Sequence, residues 1–191
     1  WLQNHLRVLK NKMTLQQLEK GLQNYLECER LLNTFFAGVN YCYPKCLSQK
    51  VGKYRIRMDM PGDPTQFPGN IGCCPYNEFE TCNNKDATDR TLLEMRRIKK
   101  YGEPKKDSPA CGYHTSKGCI LKNHKSPICV AYVCPEFTHF VHKRYGIRYC
   151  KDEIEKNLEL VLSNKQSPEE LQRFKVMIQG FIAKSSISPL T

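Results

Sequence analysis

The chain has 191 residues, enough for one domain with a proper core, which argues against a small scaffold that depends on disulfides. Its net charge of +11 favours an acidic partner or a solvated basic surface. Nucleic acid is a weaker candidate partner, because the basic residues lie in separate clusters. No apolar run reaches about 18 residues, so the sequence contains no candidate membrane span.

The first segment, residues 1–38, is predicted to be helical. Thr14 and Gln17 have the spacing of a capping box, and Gly38 is a plausible end of the helix. We expect the apolar face of this helix to pack on the cysteine-rich middle of the chain, with Cys28 as a packing residue. The apolar residues that recur at helical spacing are Leu15, Leu18, Leu22, Tyr25, Leu26, Leu32, Phe35 and Phe36.

The middle segment, residues 39–150, is interrupted by glycine, proline, asparagine and aspartate. One helix is predicted at about 88–101, and short strands are predicted at 53–58 and 128–133. The remaining loops are long for a compact domain. They are understandable if a bound metal supplies the cross-links that regular structure would otherwise provide.

The last segment, residues 151–191, is again predicted to be helical. Asp152 is a suitable N-cap for one helix. The letters SPEE at 167–170 start a second one, with an N-cap serine, a proline at the first helical position and a glutamate at the third. We interpret 1–191 as a single domain, mainly α, with an irregular cysteine-rich metal-binding core and few short strands.

Cysteines carry the strongest chemical signal, because the middle segment holds ten of the eleven. Thiolates are soft ligands that suit zinc and iron–sulfur clusters, and both kinds of centre take four protein ligands. The spacing matches neither a zinc knuckle nor a ferredoxin run, so it does not choose the metal. The ten residues are Cys42, Cys46, Cys73, Cys74, Cys82, Cys111, Cys119, Cys129, Cys134 and Cys150.

Two features favour metal-bound thiols over disulfides. The number of cysteines is odd, so complete pairing would leave one thiol over. The first residues, WLQNHLRVLKNKM, are charged and amphipathic and do not form a signal-peptide pattern. We therefore expect a reducing, cytoplasmic location. A secreted disulfide-rich protein remains the second alternative, after a zinc protein.

The run CGYHTSKGCILKNHKSPICVAYVC at 111–134, preceded by the adjacent pair at 73–74, resembles the zinc- or iron-chelating cysteine-cluster family of the YkgJ type. That family has an adjacent cysteine pair followed by four spaced cysteines, with an aromatic residue between the last two. Tyr132 stands at the aromatic position here. The resemblance implies a domain that binds zinc or an iron–sulfur cluster, and it implies little about a reaction.

We rank a [4Fe–4S] cluster above zinc, because the clustered thiols outnumber the four that one zinc ion needs. No hydrolase, P-loop or dinucleotide-binding motif is present, and the sequence does not indicate catalytic residues. Whether the protein is an enzyme stays open, as does the alternative of a zinc-stapled binding module with a basic surface. The ligands predicted first are Cys74, Cys111, Cys119 and Cys134, followed by Cys73 and Cys129.

Histidines and tyrosines are weaker signals. His114 and His124 lie within the cysteine run, and His139 and His142 have the spacing of one helical face. For all four histidines, we prefer the interpretation as polar surface residues over that as metal ligands. Basic residues surround three tyrosines that would stack on bases in a nucleic-acid interface, namely Tyr101, Tyr145 and Tyr149.

Overall fold

The computed structural model describes residues 14–41, 88–104, 112–115 and 118–186, and this part of the chain is mainly helical. The strand predicted at 53–58 lies outside the described residues. The helices are α1 (Leu15–Val39), α2 (Thr88–Tyr101), α3 (Pro127–Ala131), α4 (Pro135–Tyr145), α5 (Lys151–Leu162) and α6 (Pro168–Ser186). Two short strands, β1 (His114–Thr115) and β2 (Gly118–Cys119), pair antiparallel.

Helix α1 begins as its sequence predicts. Gln17 N donates to Thr14 Oγ1 at 3.2 Å, and Thr14 N donates to Gln17 Oε1 at 2.8 Å, which completes the capping box. The predicted end at Gly38 was wrong by one residue. The helix ends at Val39, because Asn40 adopts the left-handed conformation (φ 45°) that reverses the chain.

The C-terminal helices follow their local signals in part. At the start of α6, Glu170 N donates to Ser167 Oγ at 3.2 Å and Ser167 N donates to Glu170 Oε2 at 2.8 Å, so that capping box is confirmed. The prediction of Asp152 as an N-cap was wrong. Cys150 holds the N-cap position of α5, and Asp152 lies in the first turn, where a negative charge complements the helix dipole.

The strand predicted at 128–133 was also wrong, because this segment begins with helix α3. Ser126 is its N-cap and Pro127 stands at the start of the helix, where a missing N–H costs nothing. Val130 N donates to Ser126 O at 3.0 Å, and Tyr132 N donates to Ile128 O at 2.9 Å. A short apolar run does not by itself distinguish a strand from a buried helical turn.

Helix α1 is the centre of the fold, and it packs mainly on α6 and α5, then on α2. Within the described residues α1 also packs on the middle segment, through α2 and through Phe137 and Tyr149, so the expected partner is one of several. At Gly21 a Cβ atom would lie 2.4 Å from Leu162 O, so glycine permits the close approach of α1 to the end of α5. Cys28 is fully buried in this core, which confirms its interpretation as a packing residue.

Aromatic side chains fill the end of the core near the last turns of α1. Phe35 contacts Phe137 edge to face, with ring centroids 6.1 Å apart, and stacks on Tyr149 with centroids 6.2 Å apart. The position of α4 against α1 therefore depends on aromatic packing. Within the described ranges, no helix has the length and apolar character needed to cross a membrane.

Candidate metal centre

Of the six predicted ligands, Cys119, Cys129 and Cys134 are within the described residues. Cys119 ends strand β2, Cys129 lies on α3, and Cys134 is the N-cap of α4. The other predicted ligands, Cys73, Cys74 and Cys111, lie outside the described residues. No disulfide joins any two of the five described cysteines.

Cys119 and Cys129 flank one short loop, and their thiols interact electrostatically. Cys119 is exposed as a whole residue, yet desolvation of its sulfur raises its pKa. A hydrogen bond from Leu121 N and the charge of Lys125 act in the opposite direction and lower the pKa. The charge of Cys129 raises the pKa further, so the two thiols interact electrostatically.

The segment that separates these two cysteines is held by a buried carboxylate. Glu29 on α1 has no exposed surface, and its Oε2 accepts from His124 N at 2.8 Å while its Oε1 accepts from Lys125 N at 3.0 Å. Burial raises the pKa of Glu29, and the two backbone amides partly oppose that effect. Both oxygens are thus used to fix the backbone of one short loop.

We call residues 120–126 the bridging loop, since it joins Cys119 to the helix that carries Cys129. Tyr25 Oη donates to Lys125 O at 2.6 Å, and Asn33 Nδ2 donates to Lys122 O at 3.2 Å. Arg97 Nε on α2 donates to a third carbonyl, His124 O, at 2.6 Å. Two helices therefore fix the loop, and the geometry between the two thiols depends on them.

The backbone at His124 has a conformation that L-residues rarely adopt. Its φ is 63°, in the left-handed region, and residues there normally need support from their surroundings. Glu29 holds the N–H group of His124, and Arg97 holds its carbonyl oxygen. The conformation of the bridging loop is therefore fixed by specific side-chain contacts.

Cys134 has a different environment. Its sulfur accepts from Phe137 N at 3.4 Å and caps helix α4. The positive end of a helix stabilises a thiolate over a thiol. Cys134 is half-buried and packs against the main core. Among the described residues, no three His, Cys, Asp or Glu side chains are arranged to hold a metal ion, so Cys134 does not complete a site with Cys119 and Cys129.

The chemistry around Cys119 and Cys129 is compatible with a thiolate-bound metal. Cys119 and Cys129 supply soft sulfur ligands, and a backbone N–H bonds the sulfur of Cys119, as is usual around metal thiolates. The positive charges of Lys125 and Arg97 favour the deprotonated form that a metal needs. A site with four protein ligands would need two more in addition to these two thiols.

Sequence reasoning missed Glu29 as a functional candidate. The signal was present, since Tyr25, Glu29 and Asn33 are four residues apart and therefore share one face of a helix. All three contact the bridging loop. Tyr25 was assigned to the apolar face alone, and the partner loop, nearly a hundred residues further along the chain, is invisible to local pattern analysis.

The histidines are arranged mainly as polar surface. His139 and His142 lie on α4 and are both exposed. His124 is half-buried, and its Nδ1 lies 2.9 Å from Asn123 Oδ1. Burial lowers the pKa of His124, and the charges of nearby lysine and arginine side chains lower it further.

One of the three tyrosines proposed for base stacking is not available. Tyr149 is buried, and its hydroxyl donates to Ala131 O at 2.9 Å. Tyr145 is half-buried and packs edge to face on Phe140. Tyr101 remains at the surface of α2, where its hydroxyl bonds Asn123. Among the three, Tyr149 is therefore not available to stack on a base.

A cavity of about 300 Å³ lies between α5 and α6. Its described lining combines Glu153, Glu170 and Arg173 with the apolar side chains of Phe174 and Met177. None of the described lining residues is a cysteine or a histidine, so the cavity does not supply the predicted ligands.

Comparison with family models, with curated proteins and with solved structures gave no significant match to this chain. The resemblance to the cysteine-cluster family therefore stays a prediction from the run at 111–134.

Proposed function

We propose that the chain binds a metal centre through cysteine thiolates, and that the centre is an iron–sulfur cluster of the [4Fe–4S] type. The observation that carries the proposal is that Cys119 and Cys129 stand at either side of a loop fixed by buried polar contacts. A packing role alone does not require such a loop. Cys73, Cys74 and Cys111 are the proposed sources of the remaining ligands.

The surroundings of Cys119 and Cys129 would assist such a centre in two ways. The Leu121 N–H group and the charges of Lys125 and Arg97 stabilise negative charge at the sulfur of Cys119. Glu29 fixes the backbone between the two ligands, so the thiols are held in position before a metal arrives. When bound, an iron–sulfur cluster supplies one-electron redox chemistry.

The choice of iron over zinc rests on the number of thiols. Ten cysteines between residues 42 and 150 exceed the four that a structural zinc ion needs. The same thiols suit zinc, so a colourless zinc protein is the alternative. Both centres need thiols that stay reduced, and we therefore place the protein in a reducing compartment such as the cytoplasm.

The test is the visible spectrum and metal content of protein purified without air. A brown sample with about four irons and matching sulfide per chain supports the proposal. A colourless sample with one zinc per chain would show that the centre is zinc and not an iron–sulfur cluster. Absence of both metals, with mass spectrometry that shows paired cysteines, overturns the metal proposal and leaves a disulfide protein.

Two single variants test the ligand assignment. Cys119→Ser removes a proposed ligand, and we expect loss of metal and of stability, because binding energy of a metal is largely folding energy. Cys28→Ala removes a thiol that is buried in the main hydrophobic core, and we expect it to keep the metal. Equal metal content in the two variants would remove Cys119 from the site.

A further inference from the structure

The carboxamide oxygen of Asn123 is contacted by three polar side-chain groups. The Tyr101 hydroxyl donates to Asn123 Oδ1 at 2.6 Å, and Lys100 Nζ donates to it at 2.9 Å. His124 Nδ1 lies 2.9 Å from the same oxygen and donates when that nitrogen carries the proton. An amide oxygen has two lone pairs, so three donors compete for two positions in the tautomer that carries the proton on Nδ1.

The charge around this oxygen is positive. Arg97 and Lys100 lie on the side of α2 that faces the bridging loop, and both contact it. Two carboxylates offset part of the charge, since Glu19 pairs with Arg96 and Glu29 lies beneath the loop near Arg97. Within the part of the chain that the structure describes, no carboxylate forms an ion pair with Lys100.

The donors are also held in place. His124 is fixed at its backbone N–H by Glu29 and at its carbonyl by Arg97. Asn123 N donates to the Tyr101 hydroxyl at 3.2 Å, which ties the loop to the last turn of α2. Tyr101, Asn123 and His124 are all half-buried. A ligand would therefore meet a preformed loop, and only the exposed Lys100 side chain would have to be ordered.

We propose that Lys100, Asn123 and His124 form a binding site for a phosphate group. A phosphate presents several strong acceptor oxygens and close to two negative charges, so it takes the surplus donors and offsets the nearby cations. Lys100 and protonated His124 donate to the phosphate, and the Asn123 oxygen keeps the Tyr101 hydroxyl. The site does not involve the cysteines, and it stands whether or not the thiols bind a metal.

The probe is inorganic phosphate, added to the full chain at constant ionic strength. The imidazole signals of the five histidines are followed by NMR, and the His124 signal is identified by its loss in His124→Gln. We expect saturable movement of the His124 signal and a rise in the pKa of His124, because a bound dianion favours the imidazolium. The exposed His139 and His142 serve as internal controls and should stay in place.

Adjacent lysines provide a matched pair of variants. Lys100→Gln removes a donor of the site, and we expect about a tenfold weaker phosphate affinity, as for the loss of one charge-assisted hydrogen bond. Lys99→Gln removes the same charge from the neighbouring exposed position and should leave the affinity unchanged. Asn123→Asp places a carboxylate among the donors and should abolish binding while the chain stays folded.

The source of the phosphate is decided by a second ligand. A single-stranded oligonucleotide without terminal phosphate, displaced by inorganic phosphate and weakened by Lys100→Gln, would identify a nucleic-acid backbone as the natural source. Response to phosphate monoesters alone would identify a small phosphorylated ligand, and both results support the site. A His124 signal that does not move, or equal affinities of Lys99→Gln and Lys100→Gln, overturns it.

Discussion

Replacing Glu29 with glutamine tests whether the bridging loop depends on a buried carboxylate. The two side chains have nearly the same size, so packing in the core is preserved. The carboxylate accepts two backbone N–H groups, from His124 at 2.8 Å and from Lys125 at 3.0 Å. Glutamine has one acceptor oxygen, and its NH₂ group must face the other N–H.

The magnitude follows from this mismatch. One charge-assisted hydrogen bond becomes a neutral one, and one buried amide loses its partner at a cost of about 1–3 kcal/mol. Glutamine is neutral and avoids the desolvation cost of a fully buried carboxylate, which offsets part of this loss in stability. We expect a net loss in the free energy of unfolding of about 2 kcal/mol near neutral pH.

The assay is urea unfolding of the full chain, followed by circular dichroism. The control is Glu27→Gln, which neutralises a more exposed carboxylate on the same helix, paired with Lys175. A surface pair of this kind contributes at most about 1 kcal/mol. Equal stability of the two variants would refute the structural role of Glu29.

The pH dependence of the stability provides a second, independent test of the role of Glu29. Burial raises the pKa of Glu29 above its usual 4.5, so the folded chain binds this proton more tightly than the unfolded chain. Its contribution to stability is therefore full below about pH 4.5 and is lost as the pH rises through the raised value. Glutamine does not titrate, so the gap between wild type and Glu29→Gln should widen on acidification. A narrowing gap would mean that the amide hydrogen bonds outweigh burial.

Three further predictions concern the core and the helix ends. Gly21→Ala places a methyl group 2.4 Å from Leu162 O, and we expect the free energy of unfolding, measured with urea, to fall by about 1–3 kcal/mol. Gly38→Ala is the control, because its methyl group lies 3.8 Å from the nearest neighbour and should not destabilise the fold. Asn40→Ala puts a methyl side chain at φ 45°, and we expect a loss of about 1 kcal/mol that Asn40→Gly does not share. Burial raises the pKa of the Cys28 thiol to about 12, so stability should fall from about pH 9 upwards, and Cys28 should resist alkylation near pH 8 until the chain unfolds. Rapid labelling of Cys28 in the folded chain would contradict its burial.

The elements that were predicted well have their causes close by in the sequence. The capping boxes at Thr14 and at Ser167 join residues three positions apart, so they can be identified without knowledge of the fold. The long amphipathic helices α1 and α6 could also be predicted, because their apolar periodicity is local in the sequence. In contrast, the apolar run from Ile128 to Val133 was too short for its period to decide between strand and helix.

The bridging loop could not be predicted, because its structure is determined by distant residues. Glu29 and Lys125 are 96 positions apart, and Tyr25 and Lys125 are 100 positions apart. A buried glutamate in an amphipathic helix looks like an ordinary charged residue until its partner is placed against it. The spacing of Cys119 and Cys129 was visible in the sequence, whereas the contacts that fix the segment between them were not.

Arg97 links the two proposed sites, because its charge lowers both the pKa of Cys119 and the pKa of His124. A phosphate bound beside His124 would offset part of that charge and so make the Cys119 thiolate less favourable. The two sites would then be coupled without any movement of the chain, and the coupling has to be equal in both directions. The effect should decrease in high salt if it acts through solvent-exposed charge, and persist if it acts through the half-buried guanidinium.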